Sequence, residues 1–350
     1  MATLGQTTYS WPNLLDVAKR TDPNGRIPMI AEILTQYHPI MKLIPWKEAN
    51  LPTGHQHTIR NSLPTPTFRL LNQGVTPAKS TTGQIVDTCA LLEARSHVDI
   101  EVANLNGNSA QFRLSEAKAF LQGMTNTWAD TFITGDVSVN PERFNGLQSR
   151  YFSLGTTYIT SSQLIDAGGV GSDNTSVWLI GLGDHVFGTY PKGSQAGLEH
   201  MDRGIQTVED QNNAGRYLEA YVDLFKWKGG LAISDYRYVV RICNIDVSNL
   251  LTASDGTDTS ANLLKFMSMA IDLLPDDMSD GVRPVFLMTR QALSMLRVKM
   301  LDKGNLNLGL SDVFGESIPR HMKPLSFQGI PCLRSDAIGV AEAQITTATT

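Results

Sequence analysis

Between residues 51 and 83 the chain cannot build a core of its own. Pro52, Pro64, Pro66 and Pro77 and Gly54, Gly74 and Gly83 punctuate a stretch rich in Thr, Asn, Gln and Ser. Phe68, Leu70 and Leu71 form its main apolar cluster. Prolines so spaced fit an extended segment at a sheet edge or outside a sheet, and not a central strand. A polar excursion of this length inside a folded protein is functional or without structure of its own. The reading is a long two-stranded arm whose partner is another chain.

Beyond the arm the chain becomes regular. In residues 95–104, Val98, Ile100 and Val102 alternate with Asp99 and Glu101, the period of a half-buried strand. After the turn residues Asn106, Gly107 and Asn108 the pattern turns helical. Leu114, Ala117, Leu121, Met124, Trp128 and Phe132 recur at three- and four-residue steps, and Gly135 ends the run. The spacing predicts one long helix over about residues 110–134.

The first fifty residues predict an arm with short helices. Ser10 and Pro12 precede Leu14, Leu15, Val17 and Ala18, while Met29, Ile30, Ile33 and Leu34 sit at helical spacing after Pro28. Pro39 and Pro45 then break the chain around Ile40, Met41, Leu43 and Ile44. Helices this short need something to dock on.

Residues 136–173 are loop-rich, with turns at Asn140-Pro141 and at Phe144-Asn145-Gly146-Leu147, and a flexible excursion over residues 167–171. Strands are predicted at 176–180, 217–225, 236–245 and 284–288. A helix over 261–274 carries Leu263, Met267, Ile271 and Leu274 on one face. Thr289 is placed to cap another helix with Leu293, Leu296 and Met300, and Gly304 lies just beyond it. The tail, 327–341, reads as strand, turn, strand and can return to the first region. No internal repeat is visible, and the class is α+β.

Composition narrows the function. With 29 Lys plus Arg against 34 Asp plus Glu, the net charge is −5, and no basic stripe is present. This argues against a protein that reads DNA sequence by gripping phosphates. A mildly acidic wall still suits a container, because packaged DNA does not stick to it. Cys89, Cys243 and Cys332 are odd in number and widely spaced, so they read as ordinary half-buried thiols in a reducing compartment. The N-terminal residues lack a secretory pattern, and no apolar run approaches the roughly 18 residues of a membrane span.

The motifs that would signal chemistry fail on spacing. Gly181, Gly183 and Gly188 come after a predicted strand, but the third glycine is misplaced for a dinucleotide loop and no lysine stands after it. They read as a glycine-rich surface connection. Gly193-Ser194-Gln195-Ala196-Gly197 is not a nucleophile elbow. His55 and His57 share one face of a possible strand, without a third ligand at metal spacing, and read as solvated or interface histidines. Asp276 and Asp277 read as carboxylates facing water. Trp227, between Lys226 and Lys228, could stack on a base but reads as a cover for apolar surface. No catalytic, cofactor or metal residue is assigned, and no enzyme activity is expected.

The order of elements and two short motifs carry a resemblance. Phe327-Gln328-Gly329-Ile330-Pro331-Cys332, with Ser335-Asp336-Ala337-Ile338 after it, looks like a closing segment of tailed-phage major capsid proteins of the Hong Kong 97-type fold. The run Gly-Asp-His-Val-Phe-Gly-Thr-Tyr-Pro-Lys-Gly-Ser at residues 183–194 resembles coat proteins of short-tailed, epsilon fifteen-like phages. The resemblance implies an N-arm at 1–50 and an E-loop at 51–94. It implies a peripheral domain at 95–171 and 323–350, with the spine helix at about 110–134, and an axial domain at 172–322.

It further implies a subunit that assembles with itself in pentamers and hexamers, in an icosahedral shell around double-stranded DNA. Such a subunit binds that DNA without reading its sequence, touches no membrane, needs no cofactor, and resides in the virion after a time in the host cytoplasm. Portal, scaffolding and decoration proteins stay open as partners. On this reading Phe68, Leu70 and Leu71 are E-loop contacts and Trp11 and Trp46 anchor the N-arm. Lys79 lies near the E-loop tip, a charge at an edge with no covalent crosslink expected. The alternatives are an encapsulin-like compartment on the same fold and an α/β enzyme with dispersed site residues.

Overall fold

A computed structural model of the chain describes residues 11–12, 38–105, 109–210, 213–252, 262–275, 281–301, 308–310 and 325–347. The expected arm helices before residue 37, the turn at Asn106–Asn108, the Asp276–Asp277 pair, Gly304 and the Met300 side chain lie outside what is described. The elements begin with α1 (Ile40–Leu43), β1 (Trp46–Glu48), β2 (Gly54–Ser62) and β3 (Thr81–Asp99). Two helices come next, α2 (Ile100–Asn104) and α3 (Ser109–Thr134). The middle of the chain supplies β4 (Leu164–Asp166), β5 (Asn174–Leu182), β6 (Val186–Tyr190), β7 (Leu198–Glu209), β8 (Tyr217–Ile233) and β9 (Val239–Asp246). Then come α4 (Val247–Thr252), α5 (Leu263–Asp272), β10 (Arg283–Met288), α6 (Arg290–Leu301), β11 (Leu308–Leu310), β12 (Leu325–Phe327) and β13 (Ile330–Arg334).

These residues fall into two compact units. The first contains Leu91–Trp128 and Gly197–Lys228. Here the long hairpin of β7 and β8 pairs from Leu198↔Trp227 to Glu209↔Tyr217, with a bulge between Asp202 and Ile205. Helix α3 covers β8 through stacked rings, with Phe120 on Phe225 at 5.9 Å and Trp128 on Trp227 at 5.8 Å. Trp227 thus spends its face on Trp128, and Lys226 pairs with Glu93 at 2.8 Å.

The strand expected over 95–104 stops at Asp99. Its carboxylate accepts the Glu101 N–H at 2.9 Å and caps α2, so the alternation beyond Val98 belongs to a helix. Val98, Ala103 and Phe112 close a small core there.

The second unit contains Tyr37–Ala90, Ala129–Ala196 and Gly229–Thr350. Its centre is a mixed sheet in the order β11-β12-β13-β10-β5-β9-β4. All nine residues of β5 are buried, as befits a strand covered on both faces. On one face Val177, Leu179, Val240, Ile242 and Phe286 pack with Leu250, Met267, Leu293 and Leu296 from the helices. Strand β13 runs parallel to β10 and antiparallel to β12. The tail therefore completes this sheet. Residues 197–228 belong instead to the first unit, with residues 91–128. The turn of the β12–β13 hairpin is Gln328-Gly329, both with positive φ, which is the two-residue connection such a hairpin needs.

The end of α3 lies in this unit as well. Leu147 and Gln148 donate N–H groups to the Phe132 and Ile133 carbonyls at 3.0 and 2.8 Å, which satisfies acceptors a helix end leaves open. The approach is possible only between glycines. A Cβ on Gly135 would stand 2.3 Å from the Phe144 carbonyl oxygen, and one on Gly146 2.6 Å from that of Thr131.

Candidate assembly surface

The arm read from residues 51–83 is a hairpin. Strands β2 and β3 pair antiparallel from Gly54↔Thr88 to Ser62↔Thr81. Nine residues at about 3.3 Å each give a ribbon of about 30 Å. Its root is fastened. Asn50 donates to the Gln56 carbonyl at 2.6 Å and accepts the Gln56 N–H at 2.7 Å. A Cβ on Gly54 would meet the Asp87 carbonyl oxygen at 2.2 Å, so only glycine lets the two strands close here. The Asp87 carboxylate accepts from Arg150 at 2.7 Å and from the Ile233 N–H at 3.1 Å.

Beyond Ser62 the hairpin carries no strand until Thr81. One turn marks its far end, where the Gln73 N–H reaches the Leu70 carbonyl at 3.2 Å and Asn72 adopts φ 64°. Asn tolerates that left-handed geometry better than most residues. Phe68 is fully exposed, Leu71 is 90% exposed, and Leu63, Leu70 and Val75 are exposed as well. Ile85 and Val86 extend this apolar surface down β3. Lys79 is exposed near the start of that strand. So Phe68, Leu70, Leu71 and Lys79 lie on one protrusion, which also carries Leu63 and Val75. The sequence reading missed those two, although each sits beside a proline or glycine that punctuates the stretch.

The two tryptophans are elsewhere. Trp46 lies in β1, which runs parallel to β6 with Trp46 opposite Gly188. A Cβ on Gly188 would stand 2.9 Å from the indole, so the glycine is the seat of the ring. The stretch 181–188 is accordingly no surface connection. It is the end of β5, a turn in which the Gly183 N–H reaches the Val186 carbonyl, and the buried start of β6. Trp11, in the first unit, is half-buried with its ring 5.0 Å from that of His97.

Helix α3 carries apolar residues on two faces. Phe112, Met124, Trp128 and Phe132 are buried, but Leu114 is 57% exposed and Leu121 is exposed too. Beside them in the first unit, Arg113 bridges Asp202 and Asp223, each at 2.9 Å, with its guanidinium over the Tyr221 ring. Burial works against that charge, and the two carboxylates outweigh it and raise the guanidinium pKa. On β7, Leu198, Met201 and Ile205 are exposed along a strand that, among the described residues, is paired only on its β8 side. Little in the residue pattern marks β7.

Exposed apolar residues on a two-stranded arm, a second apolar face on the spine helix and an unpaired strand edge are features of a subunit that is completed by its neighbours. Among the described residues no group of three His, Cys, Asp or Glu side chains could hold a metal, and no helix is long and apolar enough to cross a membrane. Residues 22–346 match the family model described as Major capsid protein GP7. The chain belongs to this family of major capsid proteins.

A solved structure of bacteriophage Epsilon15 agrees along the whole length. Its chain is 31% identical to this capsid protein, with 99% of this chain and 100% of that chain covered and a TM-score of 0.78. The α+β fold of this capsid protein is the Hong Kong 97 type. A capsid chain of bacteriophage JBD30 is 10% identical over 95% of this chain and 96% of its own, with a TM-score of 0.40. An encapsulin from Synechococcus elongatus is 11% identical over 69% and 98%, with a TM-score of 0.41. Likeness of that size carries no weight for the function of this capsid protein. No curated protein matches it.

Proposed function

We propose that copies of this capsid protein close into an icosahedral shell around the double-stranded DNA of a phage, with rings of five and six as building units. The carrying observation is the exposed apolar tip of the β2–β3 hairpin. A two-stranded ribbon is marginal in water, and apolar groups such as Phe68 and Leu71 gain about 1.5–3 kcal/mol each when covered. Interfaces of obligate subunits bury roughly 2,000 Å² or more, and a covered hairpin, α3 face and β7 edge would supply such an area. Heterologous contacts of this kind close rings when the rotation between copies allows it.

On this reading residues 51–94 are the E-loop and residues 1–50 the N-arm. The spine helix with the 197–228 hairpin forms the peripheral part, and the large sheet the axial part. Phe68, Leu70, Leu71 and Lys79 touch a neighbour through the E-loop, and Trp11 and Trp46 fix the N-arm. A net charge of −5 favours a lining that DNA slides along. The subunit performs no catalytic step. It folds in the host cytoplasm, and portal, scaffolding and decoration proteins are partners to be sought.

The test is expression of the whole chain, alone and together with the remaining head proteins of its phage, with sizing chromatography and negative-stain electron microscopy as readouts. Hollow particles, or rings of five and six, are expected. A discrete monomer under both conditions overturns the reading.

A further inference from the structure

We propose that the root of the β2–β3 hairpin is an acid-sensitive latch, in which a proton taken up by His57 draws the Asp87 carboxylate from its present partners and frees the arm. The inference does not depend on what the arm touches.

His57 stands on β2 opposite Ile85, and its side chain is only 8% exposed. Neither ring nitrogen has a hydrogen-bond partner among the described residues. The nearest carboxylate oxygen, Asp87 Oδ2, is 3.7 Å from Nδ1, beyond hydrogen-bond reach. That carboxylate is already in use. Its Oδ1 accepts from Arg150 at 2.7 Å and its Oδ2 from the Ile233 N–H at 3.1 Å. Arg150 also donates to the Asn145 and Leu231 carbonyls, so one carboxylate ties β3 to β8 and to the segment after α3.

The charges around the ring are unevenly matched. Burial disfavours a charged His57 most strongly, Asp87 opposes that, and His55 and Arg150 add repulsion. The net effect holds the imidazole below its ordinary value. The His55 ring lies 6.4 Å away on the same strand and packs edge-on against Phe187, whose other neighbour is the Lys47 ammonium. Cys89, next along this part of β3, feels the Asp87 charge as well, and burial keeps its thiol neutral.

Linkage gives the direction of the effect. Above the ordinary histidine value of about 6.5, closed and open roots both hold a neutral ring, and pH does not favour either. As pH falls below that value, the open root takes up the proton first and the closed root loses stability. The loss levels off once the closed form is protonated too. In the closed form a protonated His57 has two N–H donors, and Asp87 Oδ2, 3.7 Å from Nδ1, is the nearest carboxylate acceptor and must move to meet it. Meeting it withdraws that oxygen from the Ile233 N–H, so β2, β3 and the end of β8 loosen together.

The test is hydrogen exchange on the intact chain, corrected for intrinsic rates, between about pH 7.5 and about pH 5. In the wild type, amides of Gly54–Ser62 should lose about threefold to tenfold of their protection at the lower pH. His57→Gln should remove that response. His97→Gln should keep it, since burial also lowers the His97 pKa but His97 belongs to the first unit. Equal protection of the wild type at both pH values overturns the proposal, and so does a response that survives in His57→Gln. Should that variant not fold, an NMR titration of the wild-type imidazoles decides: His57 titrating at or above about 6.5 overturns the latch.

Discussion

Arg241 and Glu342 are 101 residues apart in sequence and 2.9 Å apart in space, with side chains only 4% and 10% exposed. The guanidinium also donates to the Tyr151 carbonyl at 2.7 Å and to the Ser176 hydroxyl at 3.0 Å, and it lies over the Trp178 ring. The carboxylate accepts from Ser176 and from Gln148. The partners come from β5, from the segment after α3 and, with the pair itself, from β9 and the tail, so this pair locks the sheet, that segment and the tail into one arrangement.

Removing one half of such a pair leaves a buried charge alone. Glu342→Ala should lower stability by about 3–5 kcal/mol, read from urea unfolding. Replacing both residues, by Arg241→Met with Glu342→Leu, should recover most of the loss. A single-variant loss under about 1 kcal/mol would show that the tail is not held this way.

The hairpin tip should behave in the opposite manner. Phe68→Asp and Leu71→Asp alter exposed positions and should leave unfolding within about 0.5 kcal/mol of the wild type. The same variants should yield no rings or shells by electron microscopy. Normal particles from the double variant would remove the tip from the assembly surface.

Gly188→Ala puts a methyl group into the Trp46 indole. The ring must shift, at a cost of about 1–3 kcal/mol. Trp46→Ala made in that background should then cost less than it does alone, because the strained contact is gone. Equal costs in the two backgrounds would mean that Gly188 is not the seat of the ring.

Reactivity should sort the cysteines. Cys243 and Cys332 are buried, and burial pushes both thiols up to about 12. At about pH 8 a thiol reagent should leave both untouched in the folded chain and modify all three in denaturant. Cys89 is half-buried with a thiol raised above its usual value, so slow modification is expected there. Labelling of Cys332 without unfolding would show that β13 opens readily.

Much of this was legible from residue order. The long helix was bracketed by turn residues before it and Gly135 after it, and α3 runs Ser109–Thr134 as the spacing predicts. Thr289 caps α6, with its hydroxyl 3.4 Å from the Ala292 N–H. Periodicity did not identify the buried face of α3, because Leu114 and Leu121 continue an apolar pattern that the fold of one chain leaves uncovered. Strand β7 escaped notice for a related reason. Most of its residues are exposed and a bulge breaks its register, so nothing imposes an alternation. The burial of His57 also was not readable, since it depends on Arg150 and Ile233 meeting Asp87 across long sequence distances.

The late arrival of β13 and Glu342 sets an order on synthesis. A nascent chain that has reached Arg241 holds a guanidinium whose carboxylate is still 101 residues from being made. Its central sheet likewise waits for the strand that fits between β10 and β12. Translation therefore works as a timer: the growing chain cannot finish its fold on the ribosome before residue 342 emerges. Until then the edge of β10 that β13 will cover stays open, and an open strand edge is where a partly folded chain associates wrongly.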